Sequence, residues 1–207
     1  AVVIVTFGLN KRNYYMQNLT DQYLLYRTTH LQDSEAFAEL HRRYFKKIYG
    51  FVLLRVASKE DAEDLVSQVF LQAWEALTRK PTEKSHFKGF IYKIARNEVI
   101  DWYRARGKTP ALISLDKPDE YGEYPEVLDT RQGQDLLEKQ LQAQDVDSLI
   151  ESVQRLHEPY KEVIALRFFE ELNIDEIAQV IGKKPGHVRV LIHRGIKALQ
   201  RTITIKA

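Results

Sequence analysis

The side chains with the clearest chemical meaning in this chain are its cations, and they fall in two blocks. Residues 183–207 carry seven Lys and Arg and no Asp or Glu, a net charge of +7. Residues 86–108 carry six basic residues against two acidic ones, a net +4, interleaved with Phe87, Phe90, Tyr92, Trp102 and Tyr103 and preceded by His86. Guanidinium and ammonium groups at this density suit phosphate, and exposed aromatic rings among them stack on unpaired bases. Taken singly, Phe87, Phe90 and Trp102 each read as core residues. As a set with Tyr and Arg at one end of a helix, they read as a nucleic-acid face. Between the blocks the sign reverses: residues 109–147 sum to −7 and residues 148–182 to −4, so the whole chain shows only +2. Such asymmetry points to a polyanion held at two places.

Other chemistries find little support. The six histidines (His30, His41, His86, His157, His187 and His193) are scattered, and His187 and His193 are six residues apart, on different faces of a helix. No metal-ligand spacing, Ser/His/Asp arrangement or phosphate-binding loop is present. The 207 residues include no cysteine, which excludes a disulfide scaffold, a thiolate zinc site, an iron–sulfur cluster and a cysteine nucleophile. The expectation is a protein that is not an enzyme and holds no cofactor or metal. The apolar run Ala1–Leu9 is far short of the roughly 20 residues a membrane span needs. Its basic pair, Lys11-Arg12, follows the run, where a signal peptide would have it first. No membrane insertion and a cytoplasmic location are therefore expected. Met16, the sole methionine, is a candidate start of the natural reading frame; an ordinary N-terminal extension is the alternative.

The elements that must position the basic blocks are helical. Phe37, Leu40, Tyr44 and Ile48 recur at spacings of three and four. Ser58 suits the N-cap of a helix beginning near Lys59, which carries Leu65, Val66, Val69, Phe70, Ala73, Trp74 and Leu77 on one stripe. Its opposite face is acidic and amidic: Glu63, Asp64, Ser67, Gln68, Gln72 and Glu75. A third helix is expected from about Lys88 to Arg106. Four more patterns follow, Leu149–His157, Pro159–Glu170, Ile174–Ile181 and Gly186–Arg201, and only Thr202–Ile205 hints at strand alternation. Residues 109–147 hold Pro110, Pro118, Gly122, Pro125 and Gly133 and read as an acidic flexible linker. The expected fold is all-α. Two small helical domains, residues 34–108 and 148–207, are joined by that linker, and residues 1–33 form an N-terminal extension.

The segment Asn173–Leu199, NIDEIAQVIGKKPGHVRVLIHRGIKAL, has helix-turn-helix layout. Ile174, Ile177, Ala178 and Ile181 line the first helix. Gly182 suits a left-handed C-cap, and Pro185 suits the first turn of the next helix. That second helix buries Val188, Leu191 or Ile192, and Ile196 or Leu199. It turns Lys183, Lys184, His187, Arg189, His193, Arg194 and Lys197 toward solvent. Lys184 and the free N–H groups of the helix start can take phosphates, and Arg189 and Arg194 can reach base edges. A solvated basic face on a plain bundle has the same pattern; the total lack of acids after residue 182 favours DNA.

Three stretches in order, DAEDLVSQVFLQAW (61–74), FKGFIYKIARNEVIDWYR (87–104) and GHVRVLIHRGIKAL (186–199), resemble the extracytoplasmic-function (ECF) sigma factors of the sigma-70 family over residues 34–201. The resemblance implies a transcription initiation factor that binds core RNA polymerase and recognises and opens promoter DNA, double- and single-stranded. Residues 34–108 would be region 2 and residues 148–207 region 4. Asp61, Glu63, Asp64, Gln68, Phe70 and Trp74 would serve the β′ clamp of the polymerase, with Phe70 and Trp74 buried or half-buried. Lys88, Tyr92, Lys93, Arg96, Asn97, Trp102, Tyr103 and Arg104 would serve the −10 element, with a loop over Lys80–His86 capturing a flipped base. Lys183, Lys184, His187, Arg189, Val190, His193, Arg194 and Lys197 would serve the −35 element. The β flap and an anti-sigma factor are further implied partners. The chain departs from the family at Val190-Leu191, where a polar pair such as Ser-Arg is common, at His187, where Thr is usual, and mildly at Gly89-Phe90. Val190 could instead meet a thymine methyl. A stand-alone helix-turn-helix regulator is the alternative, but it has no reason to carry the 61–74 helix.

Overall fold

The computed structural model describes residues 16–56, 58–79, 86–107 and 146–204, and every regular element among them is helical. Residues 109–145 of the acidic linker, the 80–85 part of the expected base-capture loop, and residues 1–15 lie outside the described residues, while the last two linker positions, 146 and 147, already belong to a helix.

The first four helices form one bundle. Helix α1 (Asp21–Leu31) starts where the Thr20 hydroxyl accepts the N–H of Tyr23, and it buries Leu24 and Leu25. Two of its inward residues, Thr28 and Thr29, donate their hydroxyls to the carbonyls of Leu24 and Leu25, so neither hydroxyl is left unsatisfied. Asp33 then caps α2 (Ser34–Val56), accepting the N–H groups of Glu35 at 2.9 Å and Ala36 at 3.2 Å. Helix α2 buries Ala36, Leu40, Tyr44, Ile48 and Val52, one residue per helical turn. Helix α3 (Lys59–Arg79) begins at the expected cap, with the Ser58 hydroxyl accepting the N–H of Asp61 at 3.2 Å. Helix α4 (Phe87–Ala105) crosses both α2 and α3, burying Phe87, Ile91, Ala95 and Val99. Alone, each fully buried aliphatic or aromatic side chain contributes roughly 1.5–3 kcal/mol.

The second group comprises α5 (Val146–Gln154), α6 (Glu158–Ile164), α7 (Ile174–Ile181) and α8 (Pro185–Thr204). Helix α6 runs on into a π-helical turn, Ala165–Phe169, whose wider winding has Glu170 donate its N–H to the carbonyl of Ala165. The residue after it, Glu171, sits at φ 53°, a left-handed conformation that a side chain adopts at some cost. The hint of strand at Thr202–Ile205 gives way to helix through Thr204.

The two groups are packed on one another. Helix α7 lies along α4, α5 touches α2, and their apolar side chains merge into one cluster.

Within the second group, α6 and α8 approach closely at Gly195. A Cβ there would sit 3.0 Å from Cγ1 of Ile164 and 3.4 Å from Cβ of Tyr160. Gly195→Leu is expected to lower stability by about 1–3 kcal/mol through overpacking. A urea midpoint unchanged from wild type would show that the crossing tolerates a side chain.

Candidate nucleic-acid interface

The helix-turn-helix forms from the residues that suggest it. The Asn173 side chain accepts the N–H of Glu176 at 2.9 Å, and the Glu176 carboxylate accepts the N–H of Asn173 at 2.8 Å. Helix α7 ends at Gly182, φ 67°, with Lys183 donating its N–H to Ala178. Helix α8 then buries Val188, Leu191, Ile192, Ile196 and Leu199, so both members of each open pair are core. Lys184, Arg189 and Lys197 are exposed, while Lys183 in the turn and His187, Val190, His193 and Arg194 on the helix are half-buried. Partial burial, reinforced by the neighbouring Lys197 and Arg194 charges, holds the His193 imidazole below its usual pKa. At neutral pH it therefore offers a neutral ring with one donor and one acceptor.

The aromatic-basic helix α4 divides into two ends. Lys93, Asn97 and Arg104 are exposed, Lys88 is half-buried, and Arg104 pairs with Asp101 at 3.0 Å. Trp102 and Tyr103 are half-buried and tied down. The Trp102 indole donates to Asp61 at 3.1 Å, and the guanidinium of Arg106 lies 4.0 Å from its ring centroid. The Tyr103 hydroxyl donates to the carbonyl of Arg55. Asp61, expected on the polymerase-facing surface, is half-buried and acts as a clasp, since it accepts both Trp102 and Arg106, the latter at 2.7 Å.

Two further residues of α4 are covered rather than open to solvent. Tyr92 does not present its ring to solvent: it is fully buried, edge-on to Phe51, and its hydroxyl donates to the Glu170 carboxylate. Arg96 is largely covered and lies 2.9 Å from Glu162. Both face the second helical group, because its acidic residues close over this side of α4.

These acidic residues, and Arg55, are the functional candidates that periodicity misses. Arg55 has no exposed side-chain surface; its Nη1 is 3.1 Å from Glu162 and its Nε 3.5 Å from Glu158. The pairing is incomplete. Nε and Nη2 of Arg55, Nε of Arg96 and Oε2 of Glu158 are buried with no hydrogen bond directed at them. A buried polar group with no partner at all costs about 1–3 kcal/mol; Nε of Arg96 and Nε of Arg55 keep carboxylates at 2.9 and 3.5 Å, so that cost falls chiefly on Nη2 of Arg55. Burial pushes the Glu170 carboxyl up, against the Tyr92 hydrogen bond and the nearby Lys47 and Lys88. The spacing of Glu158 and Glu162, one turn apart on α6, is the sequence signal that could have found this face.

On α3 the polar side is open. Glu63, Asp64, Gln68 and Gln72 are exposed, with the apolar Leu71 among them. Phe70 is buried and Trp74 half-buried against Phe37, with His41 4.3 Å from Phe70. Among the described residues no group of three or more His, Asp or Glu could hold a metal, and no helix is long and apolar enough to cross a membrane.

Residues 40–109 match the Sigma-70 region 2 family and residues 147–199 match Sigma-70, region 4. The chain is an ECF sigma factor of the sigma-70 family. Relatives include the ECF RNA polymerase sigma-E factor of Haemophilus influenzae, 29% identical over 190 residues that cover 90% of this chain and 97% of that one. Another is the ECF RNA polymerase sigma factor BldN of Streptomyces coelicolor, 27% identical over 172 residues; the match covers 83% of this chain and 61% of that relative. The fold is shared with CnrH, solved with the cytosolic domain of CnrY (TM-score 0.63, 18% identity, 91% of this chain and 100% of that one). It is shared also with RpoE of Bartonella quintana, solved with the anti-sigma factor NepR (TM-score 0.58, 18% identity, 83% of this chain and 98% of that one). As a sigma factor, the chain serves RNA polymerase in transcription initiation, which binding to core enzyme and promoter DNA entails. A stand-alone regulator is not favoured.

The reading helix of this sigma factor depends on the cap of the helix before it. Asn173→Ala is expected to cost about 1 kcal/mol, seen as an earlier urea transition, whereas Asn173→Ser should stay near wild type. An equal loss in both variants would rule out the cap as the cause.

Proposed function

We propose that residues 34–108 act as region 2 and residues 148–207 as region 4, joined through the linker 109–147, in a cytoplasmic protein that works by binding and performs no covalent chemistry. The supporting observation is the coexistence of two exposed faces of opposite character. Helix α3 offers Glu63, Asp64 and Gln68 around Leu71, and α8 offers Lys184, Arg189 and Lys197. The α3 face suits the β′ clamp of core polymerase. The α8 face suits −35 duplex DNA, with Lys184 on phosphate, Arg189 toward base edges and Val190 toward a thymine methyl.

In this reading region 4 also meets the β flap, and α4 serves the −10 element. Lys88, Lys93, Asn97 and Arg104 supply its accessible polar groups. Tyr92 and Arg96 join them only once region 4 has moved away. Trp102 and Tyr103 contribute by holding the end of α4 in place. Strand opening is driven by binding energy, since single-strand capture favours the melted state. An anti-sigma factor is a further partner in this reading, supported by the likeness to sigma factors solved with such proteins.

Run-off transcription with core polymerase on a genomic fragment library tests the whole reading. Discrete transcripts sharing two upstream elements are expected, and none would refute it. The double variant Glu63→Lys/Asp64→Lys should weaken co-purification with core polymerase by at least about tenfold, some 1.4 kcal/mol, while duplex binding stays unchanged. Undiminished co-purification would remove α3 as the docking face. Lys184→Ala should lower the salt dependence of promoter binding by about one unit of slope, uniformly across sequences. An unchanged slope would take Lys184 off the phosphate.

A further inference from the structure

Part of the +4 block of residues 86–108 faces part of the −4 block of residues 148–182. Arg96 meets Glu162, Tyr92 meets Glu170, and Arg55 at the end of α2 meets Glu162 and Glu158. Lys47 and Lys88 lie within electrostatic reach of Glu170, and Glu176 of α7 within reach of Tyr44. Carboxylates thus stand over one face of α4 and the end of α2, where a nucleic acid would bring phosphates.

We infer that the acidic face of region 4, Glu158, Glu162 and Glu170, is an internal substitute for the DNA backbone, a latch that shields the −10 side of region 2 while leaving the −35 helix open. The inference rests on the −10 role of α4 given above.

Three observations carry it. First, the cover is one-sided: Tyr92 and Arg96 of α4 are engaged and Lys88 is half-buried, while Lys93, Asn97 and Arg104 of α4 and Lys184, Arg189 and Lys197 of α8 are exposed. The contact thus withdraws part of the −10 side and leaves the exposed cations of the −35 helix open. Second, the contact is built from charges whose pairing is unfinished, with buried donors on Arg55 and Arg96 left without a directed acceptor. Apolar residues of similar size would close such an interface more tightly. Incompletely satisfied charges make it separable, and phosphates can take over the freed guanidinium. Third, the covering carboxylates come from α6 and from Glu170, at the end of the π-helical turn, and both elements precede the helix-turn-helix. Region 4 can therefore leave without rearranging its own reader.

The absence of cysteine lets two dyes be placed cleanly. Full-length protein carrying Glu75→Cys and Arg201→Cys, both exposed positions, reports opening by energy transfer. A fluorescent single-stranded DNA 30-mer of mixed sequence reports access to α4, and a 30-base-pair duplex reports access to α8. Glu162→Arg should reduce energy transfer. It should also tighten single-strand binding about tenfold if the closed form holds roughly nine-tenths of the wild-type population. Duplex binding should change less than twofold. Adding Arg55→Glu, which restores opposite charge at one of the two cation contacts of position 162 while Arg96 stays unmatched, should recover part of the wild-type signal and affinity. If Glu162→Arg loses helical circular dichroism, the near-isosteric Glu162→Gln/Glu170→Gln takes its place with the same expectations. Unchanged energy transfer in a folded variant overturns the latch. Opening without tighter single-strand binding overturns the shielding. Neither result bears on run-off transcription by the wild-type protein, so failure here is distinct from failure of the sigma-factor assignment.

Discussion

A guanidinium group with no exposed surface must be neutralised where it stands. Arg55 closes α2 in that condition, over the ring of Phe51, and none of the acids that meet it belong to its own bundle. They come from α6, more than 100 residues along the chain. Burying a lone charge in a protein interior is prohibitive, so Arg55 requires the second helical group to lie where it lies. The other contacts follow from that placement. Once Glu162 is drawn to Arg55, Arg96 is within its reach, α7 lies along α4, and Tyr92 finds Glu170.

That dependence gives the molecule two kinds of stability. Inside each helical group, the apolar stripes on α2, α3, α4 and α8 interlock, and caps such as Asp33 and Asn173 close the helix starts with well-directed hydrogen bonds. Between the groups, apolar contact is supplemented by charges whose hydrogen bonds are only partly made. The interior of each group resists change; the seam between them is where the protein has least to lose by rearranging.

Much of this was legible before any coordinates. Helices α2, α3 and α4 followed from repeats of three and four, and the turn at Gly182-Pro185 followed from residue types with a single comfortable backbone role. Helix α1 is not legible in the same way. Its inward face includes Thr28 and Thr29, and only in a helix do their hydroxyls find the carbonyls one turn back. The covering of Tyr92 and Arg96 is not legible for a related reason. On α4 taken alone they belong to a basic, aromatic face, and only the non-local approach of α6 and Glu170 turns that face into an interior. Asp61 shows the same limit within one bundle, because its partners Trp102 and Arg106 are more than 40 residues away. Periodicity reports which side of a helix is apolar. It carries no information on which polar side chains will be claimed by a distant part of the chain.

The π-helical turn at Ala165–Phe169 acts as a register device. An α-helix advances 100° per residue, and a π turn takes up one residue more than the α pattern would. If the turn rewound as ordinary α-helix with all five of its residues kept, everything after it would turn by about 100°. Glu170 would then leave Tyr92, while the helix-turn-helix, closed on itself by Asn173, Glu176 and Gly182, would keep its internal shape. The bearing of the helix-turn-helix relative to the rest of the protein is therefore held by the winding of a single turn.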